Sequence, residues 1–181
     1  MLRMFFALQP TLAQSADLSV IVAPLIVGLG GQPVPASNLH ATLCFVGAVA
    51  EETLPLLKDA ASRVRARPVT LDFSALEFWE KPEIVCATAP DGESARDLSS
   101  ALGEAAIAAG FAPDIKPFRP HLTLARKIRR AVAQTQAWPR ELASPVRVRC
   151  ENFVLMESRR GADGSIYSVV ESWPLYADEA R

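Results

Sequence analysis

Histidine, cysteine and net charge are all scarce in this chain of 181 residues. It contains 2 histidines and 3 cysteines, and 19 Lys and Arg against 20 Asp and Glu leave a net charge of −1. Proteins that coat long nucleic acids usually carry a strong basic excess. The charge balance therefore excludes that class, but it leaves room for a small anionic ligand held by a local cluster. Hydrophobic residues make up 50% of the chain, which excludes wholesale disorder and allows a sizeable core.

The few cysteines and histidines do not form a metal-binding pattern. Cys44, Cys86 and Cys150 are an odd number with no CxxC pair, which indicates free thiols in a reducing compartment rather than a disulfide framework. Neither histidine has a Cys, Asp or Glu partner at ligand spacing. We therefore predict a cytoplasmic protein that needs no metal and no other cofactor.

Long hydrophobic runs are also missing. The apolar stretch Met4–Leu8 is stopped by Gln9-Pro10 and is too short for the core of a signal peptide. The stretch "SVIVAPLIVGLG", residues 19–30, contains Pro24 and falls short of the ~20 residues needed to span a bilayer. The sequence therefore predicts no membrane partner.

Periodicity and turn residues predict the same order of elements in both halves of the chain. In the first half the pattern favours a strand over Leu2–Gln9, a helix over Ala13–Leu29 ended by Gly30-Gly31, a strand over His40–Val46 stopped at Gly47, a helix over Ala50–Ala66, and short strands near Val69–Phe73, Ala75–Trp79 and Ile84–Ala89. In the second half it favours a helix over Glu93–Ala109, a strand from His121, a helical piece to about Ala137, and a hairpin of "VRVRCENFVLMES" and "SIYSVVESWPL" around "RRGADG". This repetition predicts one two-lobed α+β domain over residues 1–181, with approximate internal two-fold symmetry.

Both histidines begin strand-like runs and have a threonine two positions later. The segments read "HATLCFVG" from His40 and "HLTLAR" from His121. Side chains alternate across a strand, so each histidine shares a face with its threonine, Thr42 or Thr123. One such motif alone is more often a structural accident than a site. Two of them, in a chain with 7 threonines, indicate a cleft lined by two imidazoles and two hydroxyls.

Strict alternation makes a further prediction about the neighbours of these motifs. It places the small residues Cys44 and Ala125 on the histidine face. It places Phe45 and Arg126 on the opposite face, unless the strand ends or bulges there. Cys44 would then be a small residue on the cleft floor, an interpretation that we favour over a reactive thiol.

Two histidines facing each other suit in-line displacement at phosphorus. One group must take a proton from the entering oxygen and another must give a proton to the leaving oxygen, from opposite sides. With an ordinary pKa of ~6.5, one imidazole can be neutral while the other is protonated near neutral pH. Threonine hydroxyls can donate to phosphoryl oxygens where negative charge accumulates.

The two motifs resemble those of the 2H phosphoesterase superfamily, and in particular the RNA 2′,3′-cyclic phosphodiesterases, also called 2′-5′ RNA ligases. "LRMFFALQP" resembles the opening strand of that family, "NLHATLCFVG" its first motif, "PFRPHLTLAR" its second motif and "LMESRRGADGSIYSVVESWPL" its closing hairpin. The resemblance implies a two-lobed fold with two antiparallel-type sheets lining a central cleft and helices outside.

The same resemblance implies an activity and a set of roles. The activity is metal-independent hydrolysis of RNA or nucleoside 2′,3′-cyclic phosphate to a 2′-phosphomonoester, with possible reverse 2′-5′ RNA ligation. His121 would be the general base on water and His40 the general acid, while Thr42 and Thr123 would hold the phosphate. Arg126 would contact phosphate or ribose, and Phe45 would stack on a base. The implied partners are RNA ends or small cyclic-phosphate nucleotides, and the implied state is a monomer.

Several alternatives stay open at this point. The substrate could be ADP-ribose 1″,2″-cyclic phosphate or a 2′-5′ oligonucleotide, or the chain could be a catalytically silent nucleotide-binding module. A zinc site on the two histidines would need further ligands. The basic residues of Lys116–Arg130 indicate either a solvated face or a local positive field near the second motif. For Trp79 and Tyr167 we expect core or edge packing rather than ligand contact.

Overall fold

The computed structural model describes residues 1–161 and 164–176. The helices are α1 Leu12–Leu29, α2 Leu54–Ser62, α3 Glu93–Ala108 and α4 Arg130–Ala133. The strands are β1 Leu2–Leu8, β2 Gln32–Pro33, β3 Ala41–Val49, β4 Val69–Trp79, β5 Ile84–Thr88, β6 His121–Arg126, β7 Arg140–Cys150, β8 Asn152–Arg160 and β9 Ser165–Pro174.

The strands form two antiparallel sheets that repeat one pattern. The first sheet has the order β3-β1-β8-β9, and the second has the order β2-β6-β5-β4-β7. Each sheet therefore places a His-x-Thr strand, β3 or β6, at or next to one edge, followed by three further strands. β3 and β6 contact each other where the two sheets meet. The predicted α+β fold with two sheets around a central cleft is confirmed.

Helices cover the sheets and join the two halves. α3 follows a strand of the second sheet but packs against β3 of the first, as well as against α2. One cluster of buried side chains, including Phe6, Phe73 and Phe153, draws on both sheets. That residues 1–161 and 164–176 belong to one folding unit spanning 1–181 stays a prediction.

The first helix has the boundaries that its end signals predict. Thr11 and Gln14 form a reciprocal capping box at its start, and Gly30 ends it with φ of 65°, a left-handed conformation that glycine adopts without strain. Its buried residues include Leu18, Val22 and Ile26, which recur at helical spacing. Its 18 residues have a mean hydropathy of 1.8, a length and composition that a spanning helix and a core helix share. The absence of a membrane partner therefore stays a prediction.

Several predicted boundaries were wrong, and the largest error concerns the closing strands. "VRVRCENFVLMES" is not one strand of a hairpin: it holds the end of β7, in the second sheet, and most of β8, in the first. The chain changes sheets at Glu151, which alternation of apolar residues does not reveal. The β8–β9 hairpin itself is confirmed, although Ala162 and Asp163 in its loop lie outside the described residues.

The second helix is shorter than predicted. It covers Leu54–Ser62 after a 3-10 turn at Glu51–Thr53, rather than the whole of Ala50–Ala66. Pro68 disfavours helical backbone at the residue before it, and the chain leads from there into β4. The two short strands predicted near Val69–Phe73 and Ala75–Trp79 form the single strand β4, with a register shift between Phe73 and Ala75. The first His-x-Thr strand runs on through Gly47 to Val49.

Candidate active site

Both histidine rings are fixed by the same local hydrogen bond. The Nδ1 atom of His40 lies 2.8 Å from the carbonyl oxygen of Asn38, and the Nδ1 atom of His121 lies 2.7 Å from that of Arg119. A carbonyl oxygen can only accept, so Nδ1 carries the hydrogen in each ring. Each neutral ring therefore keeps its lone pair on Nε2, on the side away from that carbonyl.

A β-bulge follows the threonine in both motifs. Leu43 of β3 has no pairing partner in β1, and Leu124 of β6 has none in β5. The carbonyl oxygens that leave the ladder are satisfied from outside it. The hydroxyl of Ser99 donates to Leu43, and the backbone N–H of Val34 donates to Leu124 at 2.8 Å. The leucine that the motifs share at the third position after histidine is thus the bulged residue.

The bulge reverses the alternation, so the predicted faces after it were wrong. Cys44 and Ala125 are buried in the core, and burial raises the pKa of the Cys44 thiol to about 11. Phe45 and Arg126 line the cleft instead, together with both histidines and both threonines. The six residues predicted as site residues therefore lie in one cavity of about 370 Å³. Their individual roles remain predictions.

Aromatic rings enclose both histidines, and two of these rings were expected only to pack. The ring centroid of Tyr167 lies 4.6 Å from that of His40, and the ring of Phe5 lies 5.0 Å from it. On the other wall, the ring of Trp79 lies 4.5 Å from that of His121. Residue type alone did not place Trp79 or Tyr167 in the cleft, because both tryptophan and tyrosine also pack on cores and sheet edges.

Arg126 joins the two lobes across the cleft. Its Nη2 atom donates to the hydroxyl oxygen of Tyr167 at 3.3 Å, which links β6 of the second sheet to β9 of the first. Other basic residues of Lys116–Arg130 are used in ion pairs: Lys116 with Asp114, Arg119 with Glu77 and Arg130 with Glu80. Half of the basic residues of this segment are therefore charge-balanced locally, and Arg126 is the member that lines the cleft.

The electrostatics of the two histidines differ although their geometry is alike. Burial lowers the pKa of His40 from 6.5 to about 4, with Arg126 and His121 adding positive charge and the hydrogen bond to Asn38 opposing the shift. Burial also lowers the pKa of His121, but there the carboxylate of Glu77 acts in the opposite direction. In the unliganded cleft the pKa of each ring lies below its ordinary 6.5, so both rings are neutral at pH 7.

The donor atoms of the cleft do not form a metal site. Among residues 1–161 and 164–176 no group of three or more His, Cys, Asp or Glu side chains is placed to hold a metal ion. A larger cavity of about 650 Å³ is lined by Glu77 and Arg119 among other residues, but neither histidine lines it. The smaller cavity, which holds both histidines, is therefore the candidate site.

Paired His-x-Thr motifs on two facing antiparallel sheets, each followed by a bulge and a cleft-facing side chain, define a protein of the 2H phosphoesterase class. The sequence-family model of the 2′-5′ RNA ligase superfamily matches residues 17–162 of this chain. The chain belongs to this superfamily.

Relatives and solved structures agree with that assignment. An RNA 2′,3′-cyclic phosphodiesterase of Thermus thermophilus is 30% identical over 171 residues, which cover 84% of this chain and 79% of that protein. An RNA 2′,3′-cyclic phosphodiesterase of Escherichia coli is 33% identical over 103 residues, which cover 56% of this chain and span only 58% of that protein's length. The crystal structure of E. coli LigT complexed with 3′-AMP superimposes with a TM-score of 0.83 at 26% identity, covering 97% of this chain and 99% of that one.

The buried neutral state of His40 predicts a specific acid sensitivity. The unfolded chain takes up this proton near the ordinary pKa of 6.5 and the folded chain only near 4. Stability is therefore fully present above pH 6.5 and is lost as the pH falls through about 4, by up to about 3 kcal/mol. Urea unfolding of wild type and His40→Asn between pH 4 and 7 measures this, since the variant should show a shallower pH dependence. Parallel curves for the two proteins would contradict the neutral buried state.

Proposed function

We propose that the cleft hydrolyses the 2′,3′-cyclic phosphate of RNA ends or nucleosides and leaves a 2′-phosphomonoester. The observation that carries this proposal is the pair of imidazoles, His40 and His121, brought to one cavity from different sheets with Nδ1 protonated in each. A phosphorus atom between the two Nε2 atoms would have a proton acceptor on one side and, once the other ring is protonated, a proton donor on the opposite side. Displacement at a cyclic phosphodiester requires that arrangement.

The remaining polar groups of the cleft suit the phosphate. The hydroxyls of Thr42 and Thr123 can each donate to a non-bridging oxygen from its own sheet. The guanidinium of Arg126 has spare N–H groups beyond its bond to Tyr167, and a guanidinium suits phosphate recognition better than proton transfer. Phe45, with Arg3 packed 4.9 Å over its ring, offers a flat surface for a base or ribose.

We assign His121 as the general base and His40 as the general acid, as the family resemblance implies. Burial lowers the pKa of both rings, but the carboxylate of Glu77 acts on His121 in the opposite direction. A more basic imidazole is the better proton acceptor, so this carboxylate supports the assignment of His121 as the base. However, only a small fraction of the free protein has His40 protonated at pH 7, because its pKa is lowered to about 4. A bound phosphate anion beside Arg126 offsets the positive charge that lowers the pKa of His40, and binding therefore raises the fraction of His40 that is protonated.

Names of the relatives support the substrate class. The two relatives described above are RNA 2′,3′-cyclic phosphodiesterases, and LigT was crystallised with 3′-AMP. Since the matched part spans 58% of the E. coli relative, the activity of this chain is our proposal and not a property carried over. Nothing in the cleft favours ADP-ribose 1″,2″-cyclic phosphate, a 2′-5′ oligonucleotide or catalytic silence over the main proposal. Reverse ligation, a monomeric state, cytoplasmic location and independence from metals also stay predictions.

Turnover of a substrate panel tests the proposal directly. We expect hydrolysis of nucleoside 2′,3′-cyclic phosphates and of RNA with a 2′,3′-cyclic end, with the phosphate left on the 2′ oxygen in each case. ³¹P NMR and chromatography against 2′- and 3′-phosphate standards measure the product. The rates should be unchanged after dialysis against EDTA, since no group of metal ligands lies among the described residues. A 3′-phosphate product would mean that the substrate binds in the opposite orientation between the two histidines. Activity restored only by a divalent ion would overturn the metal-free mechanism.

The two histidines should act as one acid–base pair. The rate should give a bell-shaped pH profile, and each of His40→Ala and His121→Ala should lower kcat by ~10²–10⁴-fold. The double variant should lose less than the product of the two single losses, because both groups serve one displacement. His121→Ala should remove the acidic limb and His40→Ala the basic limb. Limbs lost in the opposite order would exchange the roles, and near-wild-type turnover in either variant would defeat the mechanism.

Arg126 should contribute mainly to binding. We expect Arg126→Ala to raise KM by roughly 10- to 100-fold, the worth of a lost charge-assisted hydrogen bond, with a smaller change in kcat. The control is Arg130→Ala, which removes a nearby arginine that is paired with Glu80 and does not line the cleft. Steady-state kinetics on cytidine 2′,3′-cyclic phosphate measure both. Equal KM values for the two variants would show that Arg126 does not contact the substrate.

A further inference from the structure

A half-buried carboxylate lies behind the second histidine, outside the set of residues used so far. Glu77 of β4 has a side chain that is 21% exposed. It accepts hydrogen bonds from the hydroxyl of Thr88 at 3.1 Å, from Nε1 of Trp79 at 3.2 Å and from Nη2 of Arg119, which lies 2.6 Å from both carboxylate oxygens. A carboxylate so enclosed would cost free energy without these partners, and together they hold it in one position.

Two of the partners of Glu77 are the groups that touch the ring of His121. Trp79 packs on that ring with centroids 4.5 Å apart, and the backbone carbonyl of Arg119 accepts its Nδ1–H at 2.7 Å. The guanidinium of Arg119 lies 5.3 Å over the Trp79 ring, which closes the group. Thr88 is also the pairing partner of His121 between β5 and β6. Glu77 thus reaches His121 through the tryptophan on its face and the arginine that orients its Nδ1.

The first histidine has no counterpart to this carboxylate among the described residues. The titratable groups that act on His40 are Arg126 and, when it is protonated, His121, and its neighbours are the rings of Phe5 and Tyr167. The charges that act on His121 are those of Arg119, Arg126 and Glu77. The two motifs therefore have the same geometry but different charged neighbours, and Glu77 is the carboxylate that acts on His121.

We propose that Glu77 is a positioning residue for His121: it holds Trp79 and Arg119 against the imidazole and places a carboxylate near the ring that accepts the proton. The kinetic part of this inference rests on the function proposed above. When His121 abstracts a proton from water it becomes an imidazolium. The carboxylate of Glu77, which contacts Trp79 and Arg119 beside that ring, stabilises its positive charge. A carboxylate placed in the same way near His40 would make the His40 imidazolium a weaker acid.

The chain is suited to a direct test because it contains only 2 histidines. Their ring signals can be titrated by NMR and assigned with His40→Asn and His121→Asn. In Glu77→Gln the titration midpoint of His121 should fall by about half a unit to one unit, while that of His40 stays in place. Glu80→Gln is the matched control, since Glu80 lies three residues on and is also paired with an arginine, Arg130. It should leave both midpoints unchanged.

Kinetics of the same variants separate positioning from simple structural support. Glu77→Gln should lower kcat roughly tenfold with KM within about twofold. Glu77→Asp restores the charge and should return the His121 midpoint toward wild type. Glu77→Ala removes the same charge and serves if the glutamine variant fails to fold. An unmoved His121 midpoint in a folded charge-removing variant overturns the proposal. If wild type hydrolyses no cyclic phosphate but the midpoints shift as expected, the proposed function fails while the link from Glu77 to His121 holds.

Discussion

A hydrogen bond from Nδ1–H of each histidine to the carbonyl two residues earlier is the constraint on which the cleft depends. Asn38 and Arg119 supply those carbonyls, and each stands just outside the strand that begins at or after the histidine. The strand direction then fixes where the imidazole points, and the carbonyl fixes its tautomer. A ring with the other tautomer would present an N–H to the phosphate instead of a lone pair. It could not act as a base without first losing a proton. The chemistry therefore depends on backbone geometry that any residue at positions 38 and 119 could supply.

The bulges at Leu43 and Leu124 are the second constraint, because they decide which side chains the cleft receives. A regular strand would bring Cys44 and Ala125 forward and send Phe45 and Arg126 into the core, where an unpaired guanidinium would be costly. The extra residue reverses this, and its freed carbonyl is satisfied from Ser99 in one lobe and from Val34 in the other. The two lobes use different donors for the same task. Helix α3 and the segment that follows β2 thus support the two motifs, although neither α3 nor β2 contributes a side chain to the cleft.

Local signals in the sequence were enough for part of this architecture. Turn residues and apolar periodicity predicted α1 and α3 closely, since their ends carry Gly30 and Gly110 and their buried faces repeat at helical spacing. The four motif residues and their shared cleft were predictable because identical spacing after the only two histidines of the chain needs no tertiary knowledge. Alternation failed at the bulges, which depend on partners distant in sequence. It failed again at Glu151, where one continuous strand-like pattern is divided between two sheets. Trp79 and Tyr167 were missed for the same reason, since their position depends on where other strands lie.

Two-fold symmetric geometry does not by itself decide which histidine acts as the acid and which as the base. The anchored rings, the threonines and the bulges match across the cleft, so a symmetric field would leave either histidine able to serve as acid or base. The field is not symmetric. Arg126 acts on both histidines, whereas the ion pair of Arg119 and Glu77 acts on His121 and not on His40. A displacement at phosphorus has a direction, because water enters on one side and a ribose oxygen leaves on the other. Asymmetry placed behind the motifs, and not in them, can set that direction while the motif geometry itself stays the same in both lobes.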